Sequence, residues 1–346
     1  IKLFQRSEKK LDSLKRFHRR ELLRIGARQI LNETNVATTS AELSALADSI
    51  IEAALRLSYD HVLESSQIPP QGELAVIGLG KLGGRELNFS SDIDLMFVYE
   101  KDGPVEESGS RLSTLHEYYV RVAEFVVRRL SEHTGEGHFY RVDMRLRPDG
   151  SSGPLAMSRA AYVAYYESRG ESWERQMLIK ARVVAGNTKV GEGWVSDLQP
   201  FIFRKTLFAS PLDEIARIKR KIEENIGDET NIKLGSGGIR DIEFSVQALQ
   251  LLNGGAKTSI RDRGSLDAIR SLVASGHLKR REGKDLESAY HFLRTVEDRL
   301  QLLHGLQKHS LPESAEERTI LARQLGYKSA KAFVLVGPRG FEPPTS

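Results

Sequence analysis

The stretch Gly78 to Tyr99, GLGKLGGRELNFSSDIDLMFVY, constrains this chain more than any other. It reads as an apolar strand end, a glycine-rich turn, a short connection and a second strand that opens with two aspartates. Side chains two apart on a strand share a face. Asp92 and Asp94 therefore point the same way, with Met96 and Val98 continuing their row, while Ile93, Leu95, Phe97 and Tyr99 form the expected core row. Two carboxylates on one face repel unless something neutralises them. A hard divalent cation does so, since Mg²⁺ or Mn²⁺ takes carboxylate oxygens and commonly works on phosphates. The competing reading is an edge strand with a solvated acidic face, because Asp-x-Asp is a short pattern. Two features weigh against that reading. The turn Gly80-Lys81-Leu82-Gly83-Gly84 lets a backbone approach a phosphate closely, and a third aspartate follows further on.

His138 to Pro148, HFYRVDMRLRP, reads as a third strand. Tyr140, Val142, Met144 and Leu146 form its apolar face, and Arg141, Asp143, Arg145 and Arg147 the other. A carboxylate among arginines also describes an ion-paired strand face. Beside Asp92 and Asp94, Asp143 becomes the natural third metal carboxylate. The arginines then suit phosphate oxygens, which a planar fork grips better than an ammonium. The expected nucleotide- and phosphate-binding set is Gly80, Lys81, Gly83, Gly84, Ser91, Arg145, Arg147, Lys180 and Arg182. Lys180 and Arg182 fall late in Trp173 to Val184, a segment expected to be helical, where the helix C-terminus also favours cations. Gly235 to Gly238, GSGG, precedes a helical pattern from Ile239 and reads equally as an anion site or as a plain turn.

The fold class is α+β: a small sheet carrying the aspartates, flanked by helical regions that include a C-terminal bundle. Residues 1–70 read as a helical lead-in, with helices at 8–32 and 40–63. The first rests on Leu11, Leu14, Phe17, Leu22, Ile25 and Ile30 as its apolar face. Residues 71–210 read as the catalytic domain, with a helix at 112–130 and further helices at 162–169 and 173–184. Residues 211–335 read as the bundle, with helices at 211–226, 239–252, 266–278, 285–303 and 315–325. His291, His304 and His309 lie there without metal-ligand spacing. Residues 336–346, VGPRGFEPPTS, rich in glycine and proline and without periodicity, read as a disordered or non-native tail.

At 346 residues the chain accommodates two or three domains at ~150 residues each. Charged residues make up 28% and the mean hydropathy is −0.37. No run approaches the roughly 18 apolar residues of a membrane helix, and no signal peptide is read, so the cytoplasm is the expected compartment. The absence of cysteine excludes disulfides, cysteine-zinc sites and a thiol nucleophile. A chain opening on Ile1 reads as part of a longer protein. Ten basic residues against three acids in residues 1–30 describe either a solvated helix face or a contact for nucleic acid or an acidic protein.

Apolar strand, glycine turn, Asp-x-Asp strand, helix and a strand with a third aspartate resemble the nucleotidyltransferase fold of the DNA polymerase β type. That signature has Gly-Ser where this chain has Gly80-Lys81. A closer resemblance is to the bifunctional glutamine synthetase adenylyltransferase/adenylyl-removing enzymes. It rests on GLGKLGGRELNFSSDIDL, RVDMRLRPDGSSGPL, YYESRGESWERQMLIKARVVAG and IKLGSGGIRDIEFSVQ, and covers roughly residues 10–330. NFSSDIDL, RVDMRLRP and GGIRDIEF are similar to the N-terminal, deadenylylating half of that family. The resemblance implies phosphorolysis of adenylyl-tyrosyl glutamine synthetase to ADP and the unmodified enzyme. It also implies ATP, ADP and phosphate as ligands, and control by PII signal proteins.

On this reading Asp92, Asp94 and Asp143 hold one or two Mg²⁺ ions and the cationic residues neutralise phosphate. The alternatives are adenylylation from ATP, the same fold acting on RNA ends or a small molecule, and a docking module without turnover. The chain shows no aromatic-basic RNA module, which argues against a nucleic acid partner.

Overall fold

A computed structural model describes residues 2–69, 74–105, 112–206, 210–224, 230–304 and 307–334. The expected tail at 336–346 lies outside the described residues. The chain is α+β and divides into two compact units: Ile1–Ile25, Ser40–Leu87 and Ser91–Ile202 in the first, and Gly26–Thr39, Asn88–Ser90 and Phe203–Ser346 in the second.

Two long helices come first, α1 (Lys2–Ile30) and α2 (Val36–Ser66). The sheet of the first unit follows, with β1 (Leu74–Gly78), the one-turn helix α3 (Gly80–Gly83), β2 (Ile93–Tyr99) and α4 (Leu115–Ser131). Next are β3 (Val142–Asp143), β4 (Ala156–Ser158), α5 (Arg159–Arg169), α6 (Ser172–Leu178), β5 (Arg182–Gly186) and α7 (Thr188–Ile202). β1 lies antiparallel between β2 and β5, and β2 carries β3 at its start and β4 at its end, both parallel.

Both faces of this sheet are covered. Tyr99 stacks on Tyr119 of α4 at 4.7 Å between ring centres. On the other face, Gly191 of α7 lies so near that a Cβ there would be 3.1 Å from the Ala75 Cβ. Ala75 and Ile77 stand opposite Val98 and Met96, and directly opposed residues share a face. The row that begins with the aspartates is therefore buried from Met96 onward. Helix α7 was not foreseen in the sequence; its apolar residues Val190, Trp194, Leu198 and Ile202 provide this cover.

Three expectations are corrected. The run Trp173 to Val184 is not one helix: α6 ends at Leu178, and Arg182–Gly186 is strand β5. A short apolar run fits either period, and pairing with β1 decides it. The third strand is not His138 to Pro148 but only Val142–Asp143. Before it, the Phe139 and Tyr140 amides both donate to the Leu130 carbonyl, and after it Arg147 N donates to Met144 O, so the backbone leaves the sheet on both sides. The buried stripe of α1 also differs from the expected one. Phe17 and Ile30 are exposed, whereas Lys15 and His18 are buried beside Leu11 and Ile25. Lys15 reaches inward because its ammonium finds three acceptors on the turn after α4: Glu132 O at 2.9 Å, Thr134 Oγ1 at 3.0 Å and Gly137 O at 2.7 Å.

The second unit is a bundle of α8 (Pro211–Glu223), α9 (Ile239–Asn253), α10 (Ser265–Ala274), α11 (Arg280–His304), α12 (Ala315–Gln324) and α13 (Ala330–Val334). Its core gathers Ile239, Ile242 and Val246 of α9 with Ile269 and Leu272 of α10 and Leu293, Val296 and Leu300 of α11. A polar row on α11 is buried too. Glu297 takes Arg294 at 3.3 Å and His309 at 3.0 Å, and Gln29 donates to Asp298 at 2.8 Å.

The buried His18 has a pH consequence. Its ring meets Phe139 and Tyr140 edge-on, and its Nε2 has no hydrogen-bond partner. Burial first, then the nearby His138, push its pKa down to about 4. The unfolded chain takes up this proton near ~6.5, so folding stability contributed by neutral His18 is lost as pH falls from there towards 4. The loss is up to about 3 kcal/mol. His18→Phe is expected to flatten the urea-denaturation stability between pH 6.5 and 4 relative to the unsubstituted chain.

Candidate functional site

The site is built on the junction of β2 with β3. Their parallel register sets Asp94 directly beside Asp143 and Ile93 beside Val142. Asp92 immediately precedes β2, where the Ile93 amide donates to the Arg141 carbonyl at 2.9 Å. Neighbouring strands place paired Cα atoms roughly 5 Å apart, which brings the carboxylates of Asp94 and Asp143 to one side of the sheet edge.

Two arginines answer these charges. Arg141 Nε donates to Asp92 Oδ1 at 2.5 Å, and Arg145 forks Asp143, with Nη2 at 2.6 Å from Oδ2 and Nε at 3.1 Å from either oxygen. The Arg145 backbone amide adds a bond to Asp143 at 2.8 Å. The Arg145 side chain holds the Asp143 carboxyl below the usual carboxylate range. In turn Arg145 holds its own proton more firmly, chiefly through Asp143 and at longer range through Asp94 and Asp92. One guanidinium thus senses all three aspartates, and with its side chain 79% exposed it stands at the rim.

The glycine turn is seated on this edge. Gly80 has φ +51°, and a Cβ there would come within 2.5 Å of Asp94 Oδ2. The Leu79 amide donates to Asp94 O at 2.9 Å. At the other end of α3, a Cβ on Gly83 would sit 2.0 Å from the Lys180 carbonyl. The Gly83 and Gly84 amides close the turn itself, donating to Leu79 O and Gly80 O at 2.9 and 3.1 Å. Lys81 and Ser91 are half-buried beside it in sequence.

The remaining cations of the expected set have structural partners. Lys180 Nζ pairs with Glu86 at 2.7 Å, with side chains only 7% and 10% exposed. Arg182 forks Asp48 at 2.7 and 2.9 Å and also donates to Leu82 O and Gly83 O. Arg147 donates to the carbonyls of Met144, Ser151 and Gly153, closing the loop after β3. In the second unit, the Gly237 amide and Lys219 both donate to Asp241 at 2.8 Å. The Asp241 carboxylate thus occupies one donor of that glycine loop, and the Gly235 and Gly238 amides donate to the Asn231 and Gly235 carbonyls.

Sequence reasoning did not single out Asp48 or Glu86, and it read Arg141 with the other arginines of its strand as a phosphate group rather than as the partner of Asp92. For Asp48 a signal existed. With Glu52 it places two acids one turn apart within the apolar run ALADSIIEAAL of α2, and buried acids in such a run need a partner.

The donor chemistry at the β2–β3 edge fits a hard dication: it is all oxygen, with two aspartates in direct register. Among the described residues, no group of three or more His, Asp or Glu side chains forms a ready-made metal cage. The aspartates instead face Arg141 and Arg145.

Two outcomes follow from this geometry. Gly80→Ala is expected to destabilise the first unit by at least about 1–2 kcal/mol from its left-handed φ alone, read by denaturant unfolding. Arg145→Gln is expected to return the Asp143 carboxyl towards ~3.9, read by carboxyl carbon NMR titration. Stability contributed by the ionised Asp143 is present above that ordinary value and lost as pH falls through its lowered folded pKa, so the variant, with the shift reduced, has less of it to lose.

Comparison with known proteins adds an independent line. Residues 1–194 match the family model described as glutamate-ammonia ligase adenylyltransferase. Residues 208–334 match the one described as GlnD PII-uridylyltransferase. The bifunctional glutamine synthetase adenylyltransferase/adenylyl-removing enzyme of Nitrosococcus oceani is 40% identical over 331 residues, covering 92% of this chain and 34% of that protein. The enzyme of the same name from Xanthomonas axonopodis pv. citri is 38% identical over 329 residues, covering 93% and 35%. That from Pseudomonas aeruginosa is 39% identical over 330 residues, covering 92% and 33%. The chain thus spans about a third of the length of the curated relatives it matches. With its first 194 residues matched by the family model and an aspartate-bearing sheet edge within them, the chain belongs to the glutamate-ammonia ligase adenylyltransferase family.

Proposed function

We propose that residues 71–210 carry a nucleotidyl-transfer site that removes adenylyl groups from glutamine synthetase by phosphorolysis. The observation that carries this reading is the register of Asp94 with Asp143, beside a glycine turn seated on Asp94. The names of the relatives, adenylyltransferase and adenylyl-removing, supply the substrate. The direction rests on the likeness of NFSSDIDL, RVDMRLRP and GGIRDIEF to the deadenylylating half.

Asp92, Asp94 and Asp143 would hold Mg²⁺, or Mn²⁺, which supplies charge to the attacking and leaving oxygens of an in-line transfer. The residues of the chain do the rest. Arg145 and Arg141, at the rim, are placed to exchange their carboxylate partners for phosphate oxygens. Both guanidinium groups are open to water, which screens their carboxylate pairs. Lys81, in the Gly-Ser place of the related fold, is assigned to the phosphates as a cation. Inorganic phosphate attacks the phosphorus of the AMP–tyrosine ester, the bond to the tyrosyl oxygen breaks, and tyrosinate leaves and takes a proton. Phenol, with a pKa near ~10, is a fair leaving group, and no covalent nucleophile is needed.

The other expected phosphate ligands, Lys180, Arg182 and Arg147, are assigned structural roles because each is buried and donates to a carboxylate or to carbonyls of the fold. A PII signal protein is proposed as a regulator, supported by the description of the model matched by residues 208–334.

The test is release of ADP from adenylylated glutamine synthetase in the presence of Mg²⁺ and phosphate. Phosphate-dependent ADP release that falls by at least about 100-fold in Asp94→Asn supports the reading. Transfer of AMP from ATP to unmodified glutamine synthetase, without ADP release, reverses the direction. Mn²⁺ binding followed by electron paramagnetic resonance tests the carboxylates apart from turnover: Asp143→Asn is expected to weaken it.

A further inference from the structure

We propose that Arg182 and Asp48 are positioning residues of this site, acting on it through the glycine turn. The proposal rests on the nucleotidyl-transfer reading above for its consequence, but not for its geometry.

Arg182 opens β5 opposite Gly78, the last residue of β1, and so lies where the chain runs into α3. Its side chain is 8% exposed. Nη2 donates to Leu82 O at 2.9 Å and Nε to Gly83 O at 3.3 Å. A helix leaves its last carbonyls short of internal partners; here the Arg85 amide reaches Leu82 O at 3.2 Å, and Arg182 adds the bonds that tie this end of the turn to β5. The other edge of the guanidinium forks Asp48, with Nη1 at 2.7 Å and Nη2 at 2.9 Å from its two oxygens. Every nitrogen of the guanidinium is engaged. An ammonium cannot reproduce a planar fork that serves two carbonyls and a carboxylate at once.

Asp48 is itself held in line. One turn before it, Ser44 Oγ accepts from the Leu87 amide at 3.3 Å, at the exit of the turn. One turn after it, Glu52 accepts from the Gly186 amide at 2.9 Å, at the far end of β5. The turn between these supports has no slack, since Gly83 abuts Lys180 O and Gly80 abuts the Asp94 carboxylate. A displacement of the Leu82 and Gly83 carbonyls is therefore passed to Gly80 and from there to Asp94. The sequence reading made Arg182 a phosphate ligand; its bonds make it the brace of the turn that meets the phosphate.

Glu52 provides the control. It ties α2 to β5 as Asp48 does, without touching α3. The experiment is hydrogen exchange by mass spectrometry on the full 346-residue chain, with MgADP affinity by calorimetry, for Asp48→Asn, Arg182→Lys and Glu52→Gln. Asp48→Asn and Arg182→Lys are each expected to speed exchange across residues 79–87 by about tenfold, leaving 93–99 protected. Both are expected to weaken MgADP binding by about tenfold. Glu52→Gln is expected to lower the melting temperature without changing exchange at 79–87.

Unchanged exchange in Asp48→Asn, or equal acceleration in Glu52→Gln, overturns the proposal. So does full nucleotide affinity in Asp48→Asn alongside its loss in Arg182→Lys, which would make Arg182 a direct ligand. Asp48→Asn and Arg182→Lys test one link from its two sides, so failure of one to fold leaves the other decisive. If the unsubstituted chain binds no nucleotide, the functional reading fails, while exchange at 79–87 still decides the brace.

Discussion

The turn Gly80–Gly83 is pressed from both ends, and the first unit is arranged to keep it there. At one end the Asp94 carboxylate fills the space a Cβ on Gly80 would need, and at the other the Lys180 carbonyl fills that of Gly83. Only a backbone without side chains passes between them. The approach in turn requires β1 to deliver the chain to the start of β2 and β5 to run back past it, which is the antiparallel order β2-β1-β5. The carbonyls at the end of so short a helix take the Arg85 and Glu86 amides, and Arg182 of β5 adds donors to Leu82 O and Gly83 O.

Charge in this unit falls into two classes with different energetics. Lys180 and Arg182 are buried, with side chains 7% and 8% exposed, and removing the carboxylate partner of a buried cation strands its charge at a cost of about 3–5 kcal/mol. They stay paired. Arg141–Asp92 and Arg145–Asp143 lie at the rim, with guanidinium groups 48% and 79% exposed. Water reaches and screens these guanidinium groups, so the rim pairs are the more open of the two classes to an incoming ion. The burial of the cation, not its residue type, separates the inner pairs from the rim pairs. Four arginines and lysines that look alike in the sequence divide cleanly on this ground.

The same distinction explains what was legible beforehand. The Asp92-x-Asp94 strand, the glycine turn, the α4 helix and the α9 helix after its glycine loop are local patterns, and each appears with boundaries shifted by a few residues. The α+β class followed from them. Strand β5 was misread because five residues carry no decisive period, and the third strand shrank to two residues because loops on either side draw its backbone away. The buried face of α1 was misjudged because a lysine counts as solvent-exposed until acceptors on a distant turn are known.

By itself, the sequence determined which chemistry the sheet edge carries: aspartates spaced two apart must share a face of a strand, and glycines must form a turn that a side chain would block. Only the tertiary structure decided which cations remain at that edge. Asp48 meets Arg182 and Glu86 meets Lys180 across 134 and 94 positions of chain, and no local period reports a partner that far away. The reason is physical: strand and turn preferences act between neighbours, whereas the cost of burying a charge is set by whatever the fold brings against it.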